Sequence, residues 1–138
     1  DFCTPVIFGS AKIATIHRKA CNIQNFSFNF INKISEISDK KINLLNCWKE
    51  DVKVSFGENT SESGKYALIS LQNAVKYVKN KSIDFIVTAP INKISIQKID
   101  GDFIGHTEFF EKQFEGNSLM MMVDNNLRIS WNDYRSTR

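Results

Sequence analysis

Ala67, Leu71, Ala74 and Val78 recur at i, i+4, i+7 and i+11, a spacing that places apolar side chains on one face of a helix. After a break at Asn80-Lys81-Ser82 the chain runs directly into Ile83-Asp84-Phe85-Ile86-Val87, which is almost continuously apolar and rich in β-branched and aromatic residues. A helix feeding straight into such a strand is half of a βαβ crossover. It narrows the fold to an α/β arrangement with a mostly parallel sheet. A strand buried on both faces opens its carboxyl end onto the crevice where open α/β sheets bind ligands. Thr88, Asn92 and Lys93 fall just past that end, and Gly105-His106-Thr107, one short connection later, is expected to share the crevice.

The rest of the chain fits the same class. Val6 to Phe8 read as a short strand ending at a Gly9-Ser10 turn, and residues 11 to 20 as a helix with Ile13, Ile16 and Ala20 on one face. Phe26, Phe28 and Phe30 alternate with Ser27 and Asn29, as in a half-buried strand; Ile42, Leu44 and Leu45 predict another before Cys47-Trp48. Asn, Ser and Lys between these pieces read as surface connections. Ser61 or Ser63 is expected to cap the long helix. One or two helical turns follow over 92 to 98, and Thr107 is expected to cap a helix running to Phe114, with Glu108 and Glu111 near its positive end. Gly116-Asn117 stops that helix. Leu119 to Val123, with three consecutive methionines, reads as a buried strand, Asp124-Asn125-Asn126 as a turn, and Leu127 to Trp131 as a final strand.

The length of 138 residues suits one domain with a substantial core, and the 42% hydrophobic and 24% charged fractions are ordinary for a globular chain. A net charge of +3 spread over scattered lysines gives no basic face, so no nucleic-acid partner is expected. Cys3, Cys21 and Cys47 are odd in number and widely spaced, which favours reduced thiols and a cytoplasmic location over a disulfide framework or zinc ribbon. Asp1 to Pro5 has no basic region leading into an apolar stretch, and no segment has the apolar length of a bilayer span, so no membrane association is expected.

His106, between a glycine and a threonine at a helix start, is placed to meet an anion at the helix amino end. Its ordinary alternative is a hydrogen bond across the turn. Asn92 and Lys93 are further candidates for an anion contact, against the commoner outcome of a solvated lysine. Thr88 and Pro90 read as shaping the turn, Arg128 as an ion-pair residue, His17 as solvent-facing, and the methionines at 120 to 122 as core. With two histidines far apart, the chain does not assemble the three ligands of a catalytic metal site, and no metal ligand is assigned.

Three groups of residues carry a family resemblance: Gly57…Ser63-Gly64…Ala67…Ser70-Leu71; then Asp84-x-x-Val-Thr-Ala-Pro-Ile-Asn-Lys93; then Phe103-x-Gly-His-Thr-Glu-Phe109. In this order and separation they resemble the 4-hydroxythreonine-4-phosphate dehydrogenase family of vitamin B6 biosynthesis. Thr4 to Ser10 is similar to the family's first internal strand, and the likeness runs from about Thr4 to Arg128.

The resemblance implies a partial isocitrate/isopropylmalate-dehydrogenase-like fold over 1–128 and a divergent tail over 129–138. It implies substrate binding by His106 and Thr107, NAD-dependent oxidative decarboxylation of 4-phosphooxy-threonine, and a homodimer in full-length members. NAD and a divalent metal (zinc, magnesium or cobalt) are the implied cofactors. Their binding segments are expected outside this chain, as is a glycine-rich opening segment. The first metal histidine is expected seven positions after Arg128, where this sequence has Arg135. On that expectation the chain alone does not turn over. The alternatives are a sister dehydrogenase acting on a phosphorylated sugar acid, and a noncatalytic remnant that binds phosphorylated ligands.

Overall fold

The structure, a computed structural model, describes residues 2–131. Its chain divides into two compact units at the Asp102–Phe103 junction. In the first, β1 (Val6–Gly9), β2 (Asn29–Ile31) and β3 (Asn43–Asn46) form a sheet of order β1-β3-β2. Both pairings are parallel, with Val6 opposite Asn43 and Phe30 opposite Leu44. Helix α1 (Ala11–Ala20) carries the chain from β1 towards β2, and a 3-10 turn at Ile34–Glu36 interrupts the return to β3. This is the expected α/β class with parallel strands.

The central strand is buried at Asn43, Leu44 and Leu45. Asn43 is the unexpected member, since an asparagine at a strand start reads as surface. Its Oδ1 accepts from Asn29 Nδ2 at 2.8 Å and from the Ser38 amide at 3.0 Å. Its Nδ2 donates to the carbonyls of Ser38 and Lys41, each at 3.1 Å, and of Pro5 at 3.4 Å. A buried amide saturated in this way is stable where an unpaired one is costly. At the other end of β3, Asn46 Oδ1 takes the Ala11 amide at 2.8 Å, capping α1 from the sheet.

Helix α2 (Ser61–Lys79) is capped by Thr60 rather than by Ser61 or Ser63: the Thr60 hydroxyl oxygen accepts from the Ser63 amide at 3.0 Å. Its buried stripe is Gly64, Leu68, Leu71 and Val75, together with Tyr66 and Ala74. Leu71 and Ala74 are where the periodicity put them, while Ala67 and Val78 flank the stripe half-buried. The helix packs on β1, where Tyr77 meets Phe8 at 5.7 Å between ring centroids. Its other neighbour is the short helix α3 (Lys93–Gln97), whose Ile96 is fully buried. Gly64 makes that approach possible, because a Cβ there would overlap the Ser95 carbonyl group.

Two expectations for this unit fail. Residues 83 to 88 form no strand: Phe85 and Val87 are 66% and 86% exposed. An apolar, β-branched run favours a strand only when a ladder neighbour takes up its backbone groups, and no described strand does so. Phe26 and Phe28 precede β2 instead of belonging to it, and stack edge to face at 4.8 Å, while Phe30 lies on the exposed face opposite Ile31. Helix α1 follows its predicted bounds, with Ile13 and Ile16 half-buried.

The second unit holds α4 (His106–Gln113) and an antiparallel hairpin of β4 (Met120–Asp124) and β5 (Leu127–Trp131). Asn125, with φ of 40°, makes the turn. Helix α4 is capped by Gly105 rather than Thr107, which is one position inside the first turn. All five residues of β4 are exposed, so the methionines at 120 to 122 are not core: a two-stranded hairpin has no covering layer of its own. The tail reading over 129–138 lies outside the described residues from position 132 onward.

Candidate functional site

The first turn of α4 presents the strongest candidate residues. Gly105 is buried and offers no side chain to the helix amino end, and no side-chain cap bond is made there. In that setting the first-turn amides and the helix dipole are oriented toward any anion placed at the end of the helix. His106 and Thr107 occupy the first two helical positions and are half-buried. The His106 ring lies nearly parallel to Phe110, one turn on, with centroids 6.1 Å apart and an 18° interplanar angle. Phe110 in turn meets Phe109 at 5.5 Å and Phe114 at 6.3 Å, and Phe109 meets Phe103 at 5.9 Å. This aromatic row anchors one face of a helix only eight residues long and fixes the imidazole beside its amino end.

Asn92 and Lys93 lie in the first unit, at the start of α3. Asn92 is that helix's cap, its Oδ1 accepting from the Ser95 amide at 2.9 Å. The side-chain oxygen is thus committed to structure. Lys93 is exposed at the first helical position. Thr88 and Pro90 are exposed in the extended segment, and Arg128 is exposed on β5. His17 is exposed, as expected, and stacks edge-on against Phe56 at 5.1 Å.

Among the described residues no three His, Cys, Asp or Glu side chains are grouped to hold a metal ion. Cys3, Cys21 and Cys47 are free thiols. Burial pushes the Cys47 thiol up to about 11, against a smaller lowering by a backbone hydrogen bond with Gly9. No helix among the described residues is long and apolar enough to cross a membrane.

A cavity that no motif foretells opens at the carboxyl ends of β1 and β3, lined by Ser10, Trp48, Lys53 and Tyr66 among others. These residues are scattered through the sequence, and the signal available beforehand was positional: parallel strands leave their ligand sites at that end.

The chain matches the family model of the pyridoxal phosphate biosynthetic protein PdxA over residues 1–132. It is 42% identical, over 132 residues, to a 4-hydroxythreonine-4-phosphate dehydrogenase of Bacteroides thetaiotaomicron, covering 94% of this chain and 36% of that protein. A protein of the same name from a Sulfurihydrogenibium species is 33% identical over 104 residues, covering 75% and 31%. The chain therefore spans about a third of the length of these curated relatives. The crystal structure of 4-hydroxythreonine-4-phosphate dehydrogenase from Klebsiella pneumoniae superposes with a TM-score of 0.78 at 20% identity, covering 91% of this chain and 40% of that one. The fold is thus of the isocitrate-dehydrogenase-like type.

Proposed function

The chain belongs to the family of the pyridoxal phosphate biosynthetic protein PdxA, and we propose that it serves the NAD-dependent oxidative decarboxylation of 4-phosphooxy-threonine in pyridoxal phosphate biosynthesis. In this reading His106 and Thr107 bind the phosphorylated substrate. The observation that carries it is the placement of Gly105-His106-Thr107 at the amino end of α4, where the cap residue is a glycine with no side chain to offer. A phosphate there accepts hydrogen bonds from first-turn amides and from the Thr107 hydroxyl, with the helix dipole favouring its charge. The imidazole of His106 supplies a further donor. Lys93 is a further candidate for a substrate contact, and Asn92 contributes by shaping the start of α3.

NAD and a divalent metal (zinc, magnesium or cobalt) complete the reaction in this reading; the metal supplies charge stabilisation to the oxygen that becomes anionic during hydride transfer. The described residues do not fit a metal. Their proposed role is to bind and orient the phosphorylated substrate, with metal and dinucleotide held by other parts of a full-length, cytoplasmic homodimer. The free cysteines accord with a reducing compartment.

Titration calorimetry with 4-hydroxythreonine 4-phosphate tests the reading. The chain is expected to bind it, and His106→Ala to weaken binding by about tenfold, the value of one charge-assisted hydrogen bond. Removing the phosphate from the ligand should abolish binding. Equal affinity in the parent and His106→Ala would remove His106 from the site, and tighter binding of a four-carbon sugar-acid phosphate would reassign the substrate.

A further inference from the structure

The cavity in the first unit has a volume of about 460 Å3, within the roughly 300–1,000 Å3 of small-molecule sites. It uses neither His106 nor Thr107 and stands independently of the substrate reading. Its walls are α1, the carboxyl ends of β1 and β3, the 52–57 segment and the opening of α2. The exposed Lys12–Asp51 ion pair ties the approach to that segment back to α1.

Two polar side chains belong to the wall. Ser10 is 7% exposed, lines the cavity, and makes no side-chain bond to the helix it precedes. The indole Nε1–H of Trp48 is buried and has no partner among the described residues. The Ser10 hydroxyl, which no capping bond engages, is open to an acceptor supplied from within the cavity. The apolar walls are aromatic in two places: Trp48 lies 4.7 Å from Tyr66 at 36°, and Phe56 is edge-on to His17. Lys53 and His17 belong to the lining, and no carboxylate does.

We propose that this cavity binds a small aromatic anion. Its ring system packs against Trp48 and Tyr66, an acceptor atom accepts a hydrogen bond from the Ser10 hydroxyl, and its anionic group faces Lys53. Aromatic walls favour a planar ligand over an aliphatic one by offset or edge-on packing. The unopposed cation selects negative charge over neutral analogues of the same shape.

The test uses the whole chain with 2-naphthoate and, as the neutral counterpart, 2-naphthalenemethanol. The sequence has two tryptophans, so the Trp48 indole N–H signal is assigned by its loss in Trp48→Phe. The expected result is a saturable shift of that signal with 2-naphthoate. Lys53→Met should weaken 2-naphthoate by about fivefold, as for one partly exposed charge contact, and leave 2-naphthalenemethanol unchanged. Ser10→Ala should weaken both. Because Lys53 is exposed, Lys53→Met keeps its fold and decides the question even if Ser10→Ala does not. The absence of a saturable shift in the parent, or equal 2-naphthoate affinity in the parent and Lys53→Met, would overturn the proposal.

Discussion

Asn43 is fully buried, and its amide joins Pro5, Asn29, Ser38 and Lys41 across the sheet. Asn43→Asp keeps the shape but turns the donor end into an acceptor facing carbonyl oxygens. It should lower stability by about 3 kcal/mol at neutral pH, as expected for a buried charge stripped of its partner. The loss should shrink as pH falls, because burial raises the folded-state pKa of the new carboxyl and its neutral form donates one proton; urea denaturation at two pH values checks both. Cys47 gives a second residue-scale prediction. Its thiol is raised from 9.0 to about 11, so its neutral form contributes stability below pH 9 that is lost as pH rises from 9 to 11. At pH 8.5 iodoacetamide should modify the exposed Cys3 and Cys21 well before Cys47, as read by mass spectrometry of peptides. Reaction of all three at one rate would contradict the burial. His106 and Thr107 were legible beforehand because a motif marks them, whereas Asn43 was not. Nothing local tells an asparagine at a strand start that two neighbouring segments will close over it.

At the scale of elements, α2 and α3 depend on one missing side chain. Gly64→Ala puts a methyl group into the Ser95 backbone, which cannot move away as a flexible side chain would. We expect a loss of about 3 kcal/mol, at the upper end for overpacking, read as a lowered midpoint in chemical unfolding. A wild-type midpoint would mean that the two helices approach less closely than described. The same helix shows what sequence periodicity can and cannot supply. It located α2 and the inward Leu71 and Ala74, and chain punctuation located β1, β3 and the turn at Asn125. It failed at 83 to 88, which form no strand, and at Met120 to Val123 it found the strand but not its exposure, because apolar composition alone suggested burial. Strand identity depends on a ladder partner and burial on a covering layer, and neither is written in the segment itself. The cap of α4 shows a smaller version of the problem, since Gly105 and Thr107 are both acceptable cap residues and tertiary placement chose between them.

At the scale of the molecule, the exposed apolar side chains are too many to be scattered chance. Phe85 and Val87 on the extended segment, and Met120, Met122 and Ile129 on the hairpin, are each at least half exposed. Surfaces of this kind mark association. Sedimentation velocity is therefore expected to show concentration-dependent self-association of the chain, and Met122→Lys with Ile129→Lys to reduce it; an ideal monomer at high concentration would contradict this. The central claim, that the amino end of α4 recognises the phosphorylated substrate, is tested most directly by amide chemical-shift mapping over the whole chain during titration with 4-hydroxythreonine 4-phosphate. The account predicts saturable shifts largest at His106, Thr107 and Glu108, and lost in His106→Ala. Saturable shifts centred anywhere else, with those three amides unmoved, would contradict it.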